Sequence, residues 1–161
     1  MDRYKQKVVV LGKEVTMTWV GQTDKEAARV YALAFTETGE MLLVSGGPDP
    51  GYFLPGGGVE EGETAEQALQ RELLEEADAS VLAVEAIGAL RIEDQQGHIE
   101  YHQHYWCRIE LTEQSFPRAE STLRHLVRPE DFLATLSWGK QDPKAPELLE
   151  LALYKERQYR A

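Results

Sequence analysis

Glu72, Glu75 and Glu76 fall three and four positions apart in the run QRELLEEAD, with Arg71 directly before them and Glu63 upstream. On a helix, that spacing puts the three carboxylates within one turn of each other. Without a counter-charge they repel, and some are driven toward protonation. A bound cation is the economical resolution. No Cys or His stands at helical spacing beside them, and an all-oxygen donor set favours Mg²⁺ or Mn²⁺ over zinc. Such an ion keeps waters and takes phosphate oxygens as its remaining ligands, which makes the site a reactive one. On these residues alone a solvated acidic helix end remains an equal reading. Two features weigh toward the cation: acids near a helix C-terminus oppose the macrodipole, and a local rule broken without visible compensation tends to mark a functional site.

The element that must hold these acids is a helix from about Thr64 to Ala77, with Thr64 as N-cap and Gln67 three residues on, the capping-box arrangement. At about 100° per residue, Glu66, Gln67 and Gln70 share one side and Ala65, Ala68 and Leu69 the other. Glu72, Glu75 and Glu76 interleave with the apolar set, on the side expected to face the protein, while Leu74 falls on the polar side. Before the helix, breakers from Gly46 to Gly51 and from Pro55 to Gly58 read as one long irregular region, interrupted by Tyr52-Phe53-Leu54.

Around this centre the chain reads mostly as strands. KVVVLGKEVTMTWV is a hairpin about Gly12-Lys13, and Arg29 to Phe35 with Met41 to Val44 flank a second turn. After the helix come strands over Val81 to Ile92 and Ile99 to Leu111, then loop from Pro117 to Arg124, then a helix from Pro146 to Tyr159. Strands, helix, strands, helix suggest an α+β or mixed-sheet sandwich more than alternating βαβ units. His98, His102 and His104 alternate along a strand and share one face, either lining a pocket or decorating an exposed surface. Cys107 is the only cysteine, so no internal disulfide forms, and its setting reads as a small packed side chain.

The chain has 161 residues, 17 basic against 28 acidic side chains and a net charge of -11. One core is the default at this length. The charge argues against binding nucleic-acid backbones or anionic lipid. No stretch reaches the roughly 20 apolar residues a membrane span needs, and the polar start lacks the apolar core of a signal peptide, so a cytoplasmic protein is expected.

Leu54 to Glu76, LPGGGVEEGETAEQALQRELLEE, resembles the Nudix box, G-x5-E-x7-R-E-U-x-E-E-x-G-U with U a bulky aliphatic residue. Gly57 matches the opening glycine, Glu63 the first glutamate, Arg71-Glu72-Leu73 the R-E-U element, and Glu75-Glu76 the paired acids. Asp78 and Ala79 depart from the closing glycine and aliphatic residue; Asp tolerates the left-handed conformation required there better than most residues. The resemblance implies an α/β/α sandwich with a mixed central sheet, formed as one domain over residues 1–161, with a β-hairpin extension at 1–26 and a C-terminal helix.

It also implies a metal-dependent hydrolase that cleaves a phosphoanhydride in a nucleoside triphosphate or nucleoside diphosphate derivative. Glu72, Glu75 and Glu76 would bind the metal, Mg²⁺ or Mn²⁺, with Glu72 the first candidate for general base. Arg71 and Glu63 would hold loop and helix in register. Gly56, Gly57 and Gly58 would let the loop fold tightly on the helix. Some relatives use a further downstream acid, for which Glu120 is the first choice and Glu100 the second. Gly56, Gly57, Tyr52, His102 and His104 are candidate substrate contacts, with Phe53 and Trp106 as further aromatic candidates. The positions after the box that mark ADP-ribose, dinucleoside polyphosphate or NADH subfamilies carry no proline or tyrosine here. The expected partner is a small nucleotide, with no nucleic acid or membrane, and the protein a monomer or homodimer. The alternative is a non-catalytic nucleotide-sensing domain, which typically loses acids that this box keeps.

Overall fold

A computed structural model describes residues 5–10, 12–46, 50–113, 122–137, 139 and 142–161. Among them, strands β1 (Gln6–Val10), β2 (Lys13–Gly21), β3 (Ala27–Phe35), β4 (Met41–Ser45) and β5 (Gly56–Gly58) precede helix α1 (Ala65–Ala77). Strands β6 (Ala79–Asp94), β7 (Ile99–Leu111) and β8 (Leu123–Val127) follow, then helices α2 (Pro129–Thr135) and α3 (Ala145–Arg160).

The sheet runs β1-β2-β6-β7-β3-β4-β8, with β5 laid against β3. It is mixed, because β3 pairs parallel with β7 while the other neighbours are antiparallel. β3 is central and apolar on both faces, as a strand covered on both sides must be. Its Val30, Ala32 and Ala34 pack with Ala68, Leu69, Leu73 and Ala77 of α1. Its Leu33 and Phe35 pack with Phe132 of α2 and Leu148, Leu149 and Ala152 of α3. The result is the expected three-layer α+β sandwich.

The docking of α3 carries a buried ionic knot. Glu156 accepts from Arg108 Nη2 at 2.6 Å, Arg160 Nε at 2.7 Å and Trp106 Nε1 at 3.3 Å. Each carboxylate oxygen is therefore matched, which burial of a charge requires.

Three expectations need correction. Gly56–Gly58 is not irregular: its backbone pairs with Arg29, Val30 and Tyr31. Leu123 and Arg124 are not loop but the start of β8, paired with Ser45 and Val44 of β4. His98 precedes β7 and belongs to the turn, where its backbone N–H and ring both engage Asp94. Residues 47–49 and 117–121 of the expected irregular regions lie outside the described residues. The β1–β2 hairpin forms with Val10 opposite Lys13, and Cys107 is fully buried, which pushes its thiol pKa up. No helix among the described residues is long and apolar enough to cross a membrane.

Candidate active site

Helix α1 begins as its sequence dictates. Thr64 Oγ1 accepts from Gln67 N at 3.1 Å and Gln67 Oε1 accepts from Thr64 N at 2.9 Å, so both halves of the capping box are present. It ends at Asp78 in the left-handed conformation, φ 50° and ψ 44°, where the resemblance placed glycine. The last turn has no basic residue of its own. β8 supplies one: Arg124 Nη1 donates to the Ala77 carbonyl at 3.1 Å, and Thr122 Oγ1 to the Glu76 carbonyl at 2.9 Å. These donors offset the unpaired carbonyls and the negative end of the helix.

The helix sits under β5, and glycine makes that approach possible. A Cβ on Gly57 would lie 2.4 Å from Glu72 Oε1, and one on Gly56 would lie 2.0 Å from the Val30 carbonyl oxygen at a φ of +154°. Gly56 N donates to Glu76 Oε1 at 2.7 Å. Two of the acids thus lie directly against the glycine backbone.

Arg71 ties this assembly together. Its Nε and Nη2 donate to Glu63 at 2.7 and 2.9 Å, Nη2 also to the Gly58 carbonyl at 3.0 Å, and Nη1 to Glu72 at 3.1 Å and Glu75 at 3.3 Å. The fork geometry of guanidinium suits this simultaneous bonding. Hydrogen bonds to Glu63 and then to Glu72 raise the Arg71 pKa despite partial desolvation. The Arg71 hydrogen bond, followed by the Glu60 backbone N–H, holds the Glu63 carboxyl below its usual range.

Part of the relief that the mutual repulsion of the acids requires comes from Arg71 itself, which donates to both Glu72 and Glu75. Among the described residues no three His, Cys, Asp or Glu side chains already converge on a point that would hold an ion. Glu72 and Glu75 lean on the guanidinium, and Glu76 on the Gly56 amide. Their donor chemistry nonetheless fits a hard divalent ion. All are carboxylates on one helix face beside a backbone with no side chains to block a phosphate.

The other candidates are dispersed. His102 and His104 point to the face opposite α1, where both rings contact Tyr31 at centroid distances of 6.0 and 5.5 Å. His102 Nε2 lies 2.8 Å from Glu100, and burial outweighs that carboxylate in lowering the His102 pKa. His104 is buried and its pKa is lowered to about 3. Tyr52 lies at the edge, its ring perpendicular to His125 at 4.6 Å. Trp106 is buried in the core. Glu120 lies outside the described residues.

Sequence reasoning passed over Arg29. It pairs with Gly58 across β3–β5, and its Nε donates to Tyr31 Oη at 2.7 Å. Partial desolvation lowers its pKa, but Tyr31, Glu100 and Glu72 together raise it on balance. The guanidinium therefore stands at the edge of the acid cluster. Its signal was a basic residue near the start of the strand that pairs with the glycine run.

The model of the NUDIX domain matches residues 25–148. A search of curated proteins finds no match. Among solved structures, the Bacillus subtilis pyrophosphohydrolase BsRppH superposes with a TM-score of 0.72 at 23% identity, covering 93% of this chain and 97% of that one. MutT from Aliivibrio salmonicida and Vibrio cholerae gives 0.58 at 22%, covering 78% and 98%. The NUDIX domain of Shewanella oneidensis NrtR, solved with ADP ribose, gives 0.55 at 20%, covering 83% and 90%. At these identities the superpositions speak to fold.

Proposed function

The chain belongs to the Nudix family, and on that premise we propose that it is a metal-dependent hydrolase of a phosphoanhydride in a nucleoside triphosphate or nucleoside diphosphate derivative. The observation that carries this reading is the seating of Glu72 and Glu76 against the Gly56–Gly57 backbone, with Arg71 bonded to both loop and helix. That seating places acidic side chains directly against a backbone that carries no side chains of its own.

Glu72, Glu75 and Glu76 would hold Mg²⁺ or Mn²⁺, which when bound neutralises phosphate oxygens and makes a water acidic. Arg71 fixes the carboxylates of Glu72 and Glu75, so their orientation is set before substrate arrives. Glu72 accepts the proton of the attacking water. The water oxygen bonds to phosphorus, the anhydride P–O bond breaks, and the electron pair leaves on the departing phosphate. Arg29 offers a cation on the far side of Gly58 for phosphate charge. On this reading the protein works in the cytoplasm on a small nucleotide, as a monomer or homodimer, and residues 1–26 extend a single domain.

The test is product analysis over nucleoside di- and triphosphates, nucleotide sugars and dinucleotides with Mg²⁺ or Mn²⁺, and again after chelation. Turnover that stops with chelator and falls at least a hundredfold in Glu75→Gln is expected. If nothing in the panel is consumed, the hydrolase reading is abandoned.

A further inference from the structure

Glu76 is held at both ends. Its side-chain Oε1 accepts from Gly56 N at 2.7 Å, and its main-chain carbonyl accepts from Thr122 Oγ1 at 2.9 Å. The first contact comes from β5 and the second from the residue before β8, so two separate pieces of chain close on one candidate ligand. Neither contact is local, the partners lying 20 and 46 positions away in sequence.

The carbonyls after Glu76 are held in the same way. Arg124 Nη1 donates to the Ala77 carbonyl at 3.1 Å and to the Thr112 carbonyl at 2.6 Å. Thr112 in turn donates twice to the Asp78 carbonyl, from N at 3.0 Å and from Oγ1 at 2.8 Å. A helix end often satisfies such groups through a local glycine motif. Here Asp78 makes only the turn, its N–H bonded back to the Leu73 and Leu74 carbonyls. The remaining donors come from residues beside β7 and on β8.

The two anchors of Glu76 are also connected to each other. Arg124 stands opposite Val44 in the β4–β8 ladder. Val44 exchanges hydrogen bonds with Phe53, at 2.9 and 2.8 Å, and Phe53 lies shortly before Gly56 in the chain. Pro55, between them, gives its carbonyl to Ala32 N at 3.0 Å. The path from the Glu76 side chain through Gly56, Phe53, Val44 and Arg124 back to the end of α1 is a closed circuit. A shift in the last turn of α1 must therefore break a bond on one side of Glu76 or the other.

Arg124 acts by charge as well as by position. The last turn of α1 has no basic residue, and a guanidinium on its carbonyls offsets the negative end of the helix. By charge alone, a cation at the end of the helix that carries the acids disfavours a second cation there. Removing Arg124 therefore has opposite expected signs for the two roles.

We propose that Thr122 and Arg124 are positioning residues for the metal-dependent reaction: they fix the last turn of α1 so that the Glu76 carboxylate stays against Gly56, oriented to receive the divalent ion. The proposal rests on the hydrolase reading above and adds residues outside the acid-bearing motif.

Mn²⁺ binding to the full-length protein is measured by electron paramagnetic resonance without substrate, beside steady-state hydrolysis at saturating Mn²⁺. Thr122→Val keeps the shape and removes the donor. Its Mn²⁺ Kd should rise and its kcat fall, each roughly tenfold, the order expected when a partly buried carbonyl loses its hydrogen bond. KM for the nucleotide should stay within about twofold, since the substrate's own contacts are untouched. Thr122→Ser restores the donor and should restore both values. Thr135→Val removes a comparable hydroxyl-to-carbonyl bond on α2, 2.8 Å to Asp131, and should change neither. Arg124→Met should weaken Mn²⁺ binding, where loss of a positive charge alone would tighten it. Wild-type Mn²⁺ affinity in Thr122→Val, failure of Thr122→Ser to restore it, or an unchanged or tighter Kd in folded Arg124→Met overturns the proposal and leaves the hydrolase reading standing. If the wild type hydrolyses no phosphoanhydride, the hydrolase reading falls, and the Mn²⁺ affinities alone decide whether Thr122 and Arg124 position the ion.

Discussion

Arg71 grips Glu63 with two N–H groups, at 2.7 and 2.9 Å, and with the same guanidinium holds the Gly58 carbonyl and two acids of its own helix. One planar group thus fixes the approach loop to the helix that carries the candidate ligands. Lysine has the charge but not the fork. Arg71→Lys is expected to lower kcat/KM by roughly a hundredfold, because misplacement of about 1 Å at reacting groups has effects of that order. Glu63→Gln should fall in the same direction, and the double variant should be little worse than Arg71→Lys, since the two side chains act as a unit. Steady-state kinetics on the three proteins checks this; losses that simply multiply would show that the pair is not coupled.

Gly56 and Gly57 are adjacent, yet alanine at each should do different things. A Cβ at Gly57 meets the end of the Glu72 side chain, which can swing away; one at Gly56 meets the Val30 carbonyl, which cannot. Gly57→Ala should therefore fold with a Tm within a few degrees of wild type and lose activity roughly a hundredfold. Gly56→Ala should lose stability outright, at a φ of +154° that side chains rarely adopt. Thermal melts beside activity measurements separate the two. Parallel losses in both variants would show that Glu72 is not what Gly57 protects.

What the sequence made legible was local. The capping box, the extent of α1 and the exposed position of Leu74, at 54%, follow from propensity and period within the helix. What it concealed was tertiary. A run of three glycines carries no side-chain alternation, so its pairing with β3 is invisible until β3 is placed. β8 is short and its partner β4 is distant in sequence. The role of Arg71 as counter-charge lay partly in view, since Arg71 and Glu75 are four residues apart. The division of the sheet into an acid face and a histidine face needed the strand order. Alternation says which residues share a side, not which helix covers it.

Asp78 tests whether the departure from the closing glycine has an energetic consequence. Its φ of 50° is the left-handed value at which an L side chain is strained and glycine is not. Asp78→Gly should stabilise the fold by about 0.5 kcal/mol, and Asp78→Val should destabilise it by about 1 kcal/mol or more. Denaturant midpoints at constant slope give both values. A loss of stability in Asp78→Gly would mean that the carboxylate contributes more than its backbone strain removes.

Acid should weaken the fold before its carboxylates titrate. Burial lowers the His104 pKa from the ordinary 6.5 to about 3, so between those values the unfolded chain binds a proton that the folded one does not. The stability this neutral ring contributes is fully present above pH 6.5 and is lost as pH falls toward 3, at up to about 1.4 kcal/mol per pH unit. His102, lowered by burial against the pull of Glu100, adds in the same direction. Glu63 is depressed below the ordinary 4.5; its contribution is present above that value and lost below it, outside the window. Tm should thus drop by a few degrees between pH 6.5 and 5.5 for a chain of this size. In His104→Asn, which keeps a donor for the His102 carbonyl, Tm at pH 7.5 should be lower and the decline toward pH 5.5 shallower. A decline of equal steepness in the variant would show that His104 is not the group taking up the proton on unfolding.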